Sequence, residues 1–282
     1  LAANKLFLAI GHSARDTFEM LYKSGLQMEQ KQFSPTDSHF KHSSFQHSPN
    51  TPAASLSLQP IAYIHSDFSE KFGIPRQSGL VSSLQAKIVF TEPFRNQDCI
   101  RWIEEFSHLW LIWGFSKNQR DKWTPTVRPP RLGGNKRKGV FASRAPFRPN
   151  PLGLSSVRLE KCIPTSPEGP LLYISGADLL DGTPIYDIKP YLAFTDSHPE
   201  ASGSFSTKAL EHRLVIHCPE GLLHLIPIEK RQSLLDCLSL DPRPSYQHDP
   251  ERIYGMNYAG FDIHFKVNHN DLFVTEIIPS HE

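Results

Sequence analysis

Between Ile61 and Ile188 the chain is a series of short apolar runs, none longer than eight residues, cut apart by turn-forming segments. They are Ile61 to Ile64, Lys87 to Phe90, Leu109 to Phe115, Val140 to Ser143, Ser155 to Cys162, Leu171 to Ser175 and Pro184 to Ile188. Runs of this length are strands, and strands so short and so regularly separated close into a barrel or pack as a sandwich. One amphipathic stretch interrupts them. Asn96 or Asp98 is placed to cap a helix in which Ile100, Ile103 and Phe106 recur at helical spacing, so that it lies across one barrel face.

A chain of 282 residues exceeds the commonest domain size, and two domains are expected. After about Phe205 the texture changes. A helix from Ile228 to Leu240 turns Leu234, Leu235 and Leu238 toward a core, and Asp241-Pro242-Arg243-Pro244 stops it. A hairpin follows, in which Phe261, Ile263, Phe265 and Val267 alternate inward and Asn268 to Asp271 turns the chain back into Leu272 to Ile278. The expected fold is therefore mainly β: a barrel or sandwich domain over 60–205 and a small α+β domain over 206–282. At the other end, 34–59 is rich in Ser, Pro, His and Gln with few aliphatics, which cannot bury enough apolar surface to offset its chain entropy and reads as a disordered linker. Residues 1–33 read as a strand at Leu6 to Ile10, a turn, and a helix to about Lys23; the segment is similar to a fragment of a flavin-dependent oxidoreductase and is an appendage to which no function is assigned.

Net charge is only +1, yet the cations are not spread evenly. Seven of them sit between Val127 and Gly153 without one carboxylate, in a segment whose Pro and Gly residues project guanidinium groups from fixed backbone. Such a segment is built to meet an anion. Cys99, Cys162, Cys218 and Cys237 form no Cys-x-x-Cys pair, which argues against a zinc ribbon, a thioredoxin-like site or a disulfide scaffold; all four read as reduced core thiols. No apolar run reaches the roughly 20 residues that span a bilayer, and no signal-peptide pattern is found, so the expectation is a cytoplasmic protein without membrane contact.

The missing motifs exclude several chemistries. No Gly-x-Gly-x-x-Gly follows a strand, and Gly134 to Gly139 has the glycine spacing of a phosphate loop but is followed by Val140-Phe141 where Lys and Ser or Thr are needed. Neither Gly-x-Ser-x-Gly nor His-Glu-x-x-His occurs. His39, His42 and His47 lie in a polar tract and read as incidental, while His108 reads as a hydrogen-bonded structural histidine. Trp123, beside Lys122, is a better candidate for stacking on a base than Trp110 or Trp113.

Five ordered motifs resemble one family together: Pro75-Arg76-Gln77-Ser78-Gly79-Leu80, Phe106-Ser107-His108-Leu109-Trp110, Arg128-Pro129-Pro130-Arg131-Leu132-Gly133-Gly134, Phe147-Arg148-Pro149-Asn150-Pro151 and Asp181-Gly182-Thr183-Pro184. It is the TrmO or TsaA-like family of tRNA methyltransferases, and the likeness runs from about Pro60 to Phe205 and on through Asp241 to Tyr246. The resemblance implies a closed β-barrel methyltransferase domain, a homodimer, S-adenosylmethionine (SAM) as methyl donor, and methylation of N6 of the threonylcarbamoylated adenosine beside the tRNA anticodon. It places the cofactor against Pro75, Arg76, Gln77, Ser116, Lys117, Arg144, Leu154, Asp181, Gly182, Thr183 and Pro184. Many relatives carry His-Gln where this chain has Ser116-Lys117.

Each group carried over has a plausible task. Arg76 or Arg144 is a candidate for the cofactor carboxylate, and Asp181 for a ribose hydroxyl or the ammonium. An acceptor that orients the adenine amine and takes its proton would assist transfer, for which Asn150 and Asp187 are the candidates; the ordinary alternatives are a turn residue and an ion pair with Lys189. Arg148, Arg128 or Arg131 would suit the carboxylate of the modified base, and Lys136, Arg137 and Lys138 the tRNA backbone. The competing reading of the same Arg-rich segment is a non-catalytic RNA-binding barrel.

Overall fold

The computed structural model describes residues 56–117, 123–129, 136–203, 213–244, 247 and 249–280. Arg131, the strand–turn–helix expected near the N-terminus, nearly all of the linker and the 205/206 boundary lie outside the described residues. Residues 1–55 and 56–282 separate into two units.

Six antiparallel strands close a barrel: β1 (Ala62–His65), β2 (Gln85–Phe90), β3 (His108–Gly114), β6 (Leu152–Ile163), β7 (Leu171–Ser175) and β8 (Pro184–Pro190), in the order β1-β2-β7-β6-β3-β8. Six of the seven expected runs fall on these strands, because their side chains alternate. Ala62 and Ile64, Ile88 and Phe90, Leu109 and Leu111, Leu172 and Ile174, with Val157 and Ile185, fill the interior. Closure leaves no free edge to be blunted. A two-residue ribbon, β4 (Thr126–Val127) with β5 (Lys138–Gly139), stands outside the barrel.

A second sheet, in the order β10-β11-β12-β9, is made of β9 (Val215–His217), β10 (Tyr254–Tyr258), β11 (Phe261–Asn268) and β12 (Asp271–Pro279). Among the described residues the α-helices are α1 (Ala193–Asp196), α2 (Glu220–Leu223) and α3 (Ile228–Ser239). Leu234 and Leu238 of α3 are buried against Met256, Ile263 and Phe265, whereas Leu235 is only half-buried. This core is shared: Phe68, Val81 and Leu84, from the segment joining β1 to β2, are buried in it. Polar contacts follow the same path, Lys230 Nζ reaching Asp67 Oδ2 at 2.6 Å and Ser83 Oγ donating to Asp236 Oδ2 at 2.6 Å.

Three expectations require correction. The stretch from Asn96 to Phe106 is two 3-10 turns, Gln97–Ile100 and Ile103–Glu105, because Trp102 between them has φ +68°, outside helical space. Asn96 does cap the first, accepting from the Asp98 N–H at 3.0 Å. Val140 to Ser143 is also a 3-10 turn, Val140–Ala142, entered after β5; there Val140 alone is buried, so alternation had no face to act on. Of the cysteines, Cys237 is buried while Cys99 is exposed, so they are free thiols but not all core.

Candidate functional site

The turn Asp181 to Pro184 enters β8 and is stapled to the end of β1. Gly182 N–H donates to Ile64 O at 2.9 Å, and Ile64 N–H donates to Thr183 O at 3.2 Å. Gly182 has φ +70°, a conformation that favours glycine. Asp181 Oδ1 accepts from Ser66 N–H at 3.0 Å and lies 3.5 Å from His65 Nδ1, while the buried Thr183 donates its hydroxyl to Leu180 O at 2.7 Å. Backbone and side-chain bonds thus fix this turn before any ligand arrives.

The loop carrying Pro75, Arg76 and Gln77 faces a second turn that carries Arg144. Arg144 Nη1 donates to Gln77 Oε1, and Gln77 Nε2 donates back to the Arg76 carbonyl. The Arg144 turn is held from inside: Ser143 Oγ donates to Val140 O at 2.9 Å, and Arg148 Nη1 donates to Ser143 O at 3.0 Å and Ala145 O at 3.5 Å. Arg148 thereby spends its Nη1 on shaping the turn.

Behind them lies a carboxyl that the sequence reading passed over. Asp178 Oδ1 accepts from Ser155 Oγ at 2.6 Å, and Ser155 Oγ accepts in turn from the Trp113 indole N–H at 3.0 Å. Gly79 N–H donates to Gly176 O at 2.8 Å, which draws the Gln77 loop against the segment bearing Asp178. Loss of hydration pushes the Asp178 carboxyl above its ordinary range; the Ser155 hydroxyl, backbone N–H groups and the Arg144 guanidinium pull it partly back. Only register brings Ser155, Trp113 and Asp178 together, but one signal was readable: Asp178 is a carboxylate inside an otherwise apolar run, three residues before Asp181.

On the outer wall, strand register places Leu154, Ile112 and Asp187 side by side across β6, β3 and β8. Leu154 is 52% exposed, unusual for leucine in a sheet. Asp187 pairs with Lys189 at 3.0 Å and accepts from Ile188 N–H at 2.9 Å, so the ordinary pairing does form. Asn150 is exposed, and its carbonyl accepts from Leu152 N–H at 2.7 Å. Among the described residues no hydrogen bond joins Asn150 or Asp187 to the Gln77, Arg144 and Asp178 cluster. Ser116 and Lys117 are exposed; Lys117 Nζ donates to Ser69 O at 3.3 Å, and its carbonyl accepts from Lys71 Nζ at 3.0 Å. Arg128, Lys136, Arg137 and Lys138 are exposed on and around the β4–β5 ribbon, with Trp123, 51% exposed, nearby in sequence.

The cluster offers a guanidinium, an amide and a carboxyl of raised proton affinity, and the exposed Leu154 lies on the outer wall. That donor set suits a small zwitterion with a carboxylate, an ammonium and an apolar portion. No group of three His, Cys, Asp or Glu side chains suited to a metal occurs among the described residues, and no helix there is long and apolar enough to cross a membrane.

Comparison with known proteins places this geometry in context. Residues 63–197 match the tRNA-methyltransferase O N-terminal domain, and residues 224–280 match the TrmO C-terminal domain. The Escherichia coli tRNA (adenine(37)-N6)-methyltransferase is 39% identical over 222 residues, spanning 76% of this chain and 94% of the relative. A Pseudomonas aeruginosa relative, 39% identical over 233 residues covering 77% of this chain and 94% of its own, carries a name that refers to S-adenosylmethionine dependence. The crystal structure of TrmO from P. aeruginosa superposes with a TM-score of 0.66 at 30% identity, over 81% of this chain and 99% of that one.

Proposed function

The chain belongs to the TrmO family, and from that premise we propose that it methylates N6 of the adenosine at position 37 of tRNA, using SAM, with the threonylcarbamoylated base as substrate. The observation that carries this reading is the Gln77, Arg144 and Asp178 cluster, set on fixed turns at one end of the barrel. Its donors match what SAM presents. Arg144 and Gln77 would hold the carboxylate, Asp178 or Asp181 the ammonium or a ribose hydroxyl, and Leu154 would lie against an apolar part. When bound, SAM supplies an electrophilic methyl on sulfonium.

The protein's own contribution is orientation. Methyl transfer is an in-line displacement, and holding the reacting atoms in line can remove several kcal/mol of barrier. The adenine amine has a delocalised lone pair, so an acceptor that orients its N–H and takes the proton assists attack. Asp187 suits that task better than Asn150: it is ionisable, and register puts it in the same outer-wall row as Leu154. The carboxylate of the threonylcarbamoyl group calls for a guanidinium fork, which Arg128 supplies from the exposed ribbon and which Arg148 supplies with the donors not spent on its own turn. Lys136 and Arg137 would neutralise phosphates, positioning the anticodon loop rather than reading it. A loop nucleotide is unstacked at lower cost than a paired one.

In the same reading the enzyme works as a homodimer in the cytoplasm. The exposure of Leu154 supports the dimer, since a partner subunit would cover that wall. Incubating the protein with methyl-labelled SAM and tRNA that lacks this methyl, then digesting to nucleosides, should put the label on the modified adenosine at position 37. Binding of tRNA with no SAM affinity by calorimetry would favour a non-catalytic module instead. Arg144→Ala should weaken SAM binding by about 10- to 100-fold, the loss of one charge-assisted hydrogen bond of about 1.5–3 kcal/mol; unchanged affinity would move the carboxylate site elsewhere.

A further inference from the structure

The segment that closes α3 reaches the cofactor loop across the interface between the two sheets. Asp241 follows the helix at φ +53°, a left-handed conformation that Asp and Asn tolerate better than most residues. Its carboxylate then receives Arg243 as a two-pronged fork: Nε donates to Oδ1 at 2.9 Å and Nη2 to Oδ2 at 3.0 Å, with the Arg243 N–H on Oδ1 at 3.3 Å. Arg243 is 8% exposed, so this is a desolvated ion pair within a three-residue turn, not a surface decoration. Three bonds onto one carboxylate leave the Arg243 carbonyl in one orientation.

That carbonyl accepts from Arg76 Nη2 at 3.0 Å. The chain of bonds continues from there. The Arg76 carbonyl accepts from Gln77 Nε2, and Gln77 Oε1 accepts from Arg144 Nη1. A cleft of about 180 Å³ lined by Lys71, Gly73 and Arg76 on one side and by Cys237, Leu240 and Asp241 on the other lies between the two segments, which are therefore not simply packed together. The Arg76 bond bridges it.

We infer that Asp241 and Arg243 are positioning residues for the methyl-donor site: their fork fixes the carbonyl on which Arg76 rests, and through Gln77 sets where the Arg144 guanidinium points. This gives the C-terminal segment a task in cofactor binding without touching the cofactor. The inference rests on the donor site assigned above, so its test must separate the two.

The variants are chosen to fold. Asp241→Asn keeps the left-handed turn and one acceptor but loses the charge, and Arg243→Lys keeps the charge but loses the fork. For each, SAM affinity is measured by calorimetry, tRNA affinity is measured in the absence of SAM, and kcat and KM for SAM are measured with the tRNA substrate. The expected result is a SAM Kd and KM raised about tenfold in both variants, as when one charge-assisted bond is misplaced, with kcat and tRNA affinity within twofold of wild type. Arg76→Met should give a similar loss, Arg76→Lys should restore much of it, and Arg76→Met combined with Asp241→Asn should be no weaker than the poorer single variant, because both break one chain. Unchanged SAM affinity with a lowered unfolding temperature would make the fork merely structural and overturn the inference, as would additive losses in the double variant. If the wild-type protein itself binds no SAM, the donor-site assignment fails instead.

Discussion

Asp178 shows how far a single residue departs from what its identity suggests. Its carboxyl binds protons more tightly than an ordinary aspartate, chiefly because it has lost hydration, with Ser155, backbone donors and Arg144 offsetting only part of that. The protonated form is therefore favoured by folding. Stability from this group is fully present below the ordinary value of 3.8 and is lost as pH rises through the raised one. Asp178→Asn keeps an acceptor for Ser155 but cannot ionise. Urea unfolding at a series of pH values from about 3.5 upward should show the variant gaining on wild type across that window, while its SAM affinity at neutral pH falls; a stability difference flat with pH would show that Asp178 does not titrate as argued. Arg144 was legible in the sequence as a cation in an acid-free segment, because charge is a property of the residue. Asp178 showed only as a carboxylate in an apolar run, and its role did not, because its partners Ser155 and Trp113 lie on strands whose register the sequence does not print.

At the scale of elements, what could be read was what alternates. The barrel strands and the final hairpin were legible because one face is buried and a slip of one residue would expose it. The stretch from Asn96 to Phe106 carried helical spacing, yet Trp102 at φ +68° breaks it into two short turns, with Ile100 buried in the barrel core and Ile103 and Phe106 packed against it. Strand β10 was not among the expected runs although Tyr254, Met256 and Tyr258 alternate inward; Gly255 and Asn257 between them are poor strand formers. The β4–β5 ribbon was hidden by its length, being two residues on each side; Lys136 and Arg137, proposed above to meet the tRNA backbone, lie just before β5. Each phosphate neutralised on single-stranded RNA adds about 0.7 to the slope of log K against log salt. Lys136→Ala with Arg137→Ala should therefore reduce that slope by about 1.4 for tRNA binding while leaving SAM affinity unchanged. A slope equal to wild type in filter-binding or anisotropy titrations would remove the ribbon from the RNA interface.

At the scale of the whole molecule, the arrangement of the cores decides how residues 56–282 unfold. The barrel has its own interior, but the second core takes Phe68, Val81 and Leu84 from the segment between β1 and β2. Burying side chains of that size contributes about 1.5–3 kcal/mol each, and the sum for three is comparable with the 5–15 kcal/mol that holds a typical domain together. The sheets cannot then part without surrendering a large share of either one's stability, so a chain starting at Leu56 should unfold in one calorimetric transition and retain methyl transfer. Gly73 is the position at which to press this point. It has φ +93°, and a β-carbon there would fall 2.1 Å from Met256 Sδ on β10, so alanine forces both backbone strain and displacement of a buried side chain. Strain and overpacking of that kind cost about 1–3 kcal/mol, and for a domain of this size each kcal/mol lowers the midpoint by about 2–4 °C. Gly73→Ala should shift the single transition down as a whole by several degrees. Were it instead to split the endotherm, leaving a barrel transition in place and an earlier one for the second sheet, the two cores would be independent and the coupling between the C-terminal segment and the Gln77 loop would lose its mechanical basis.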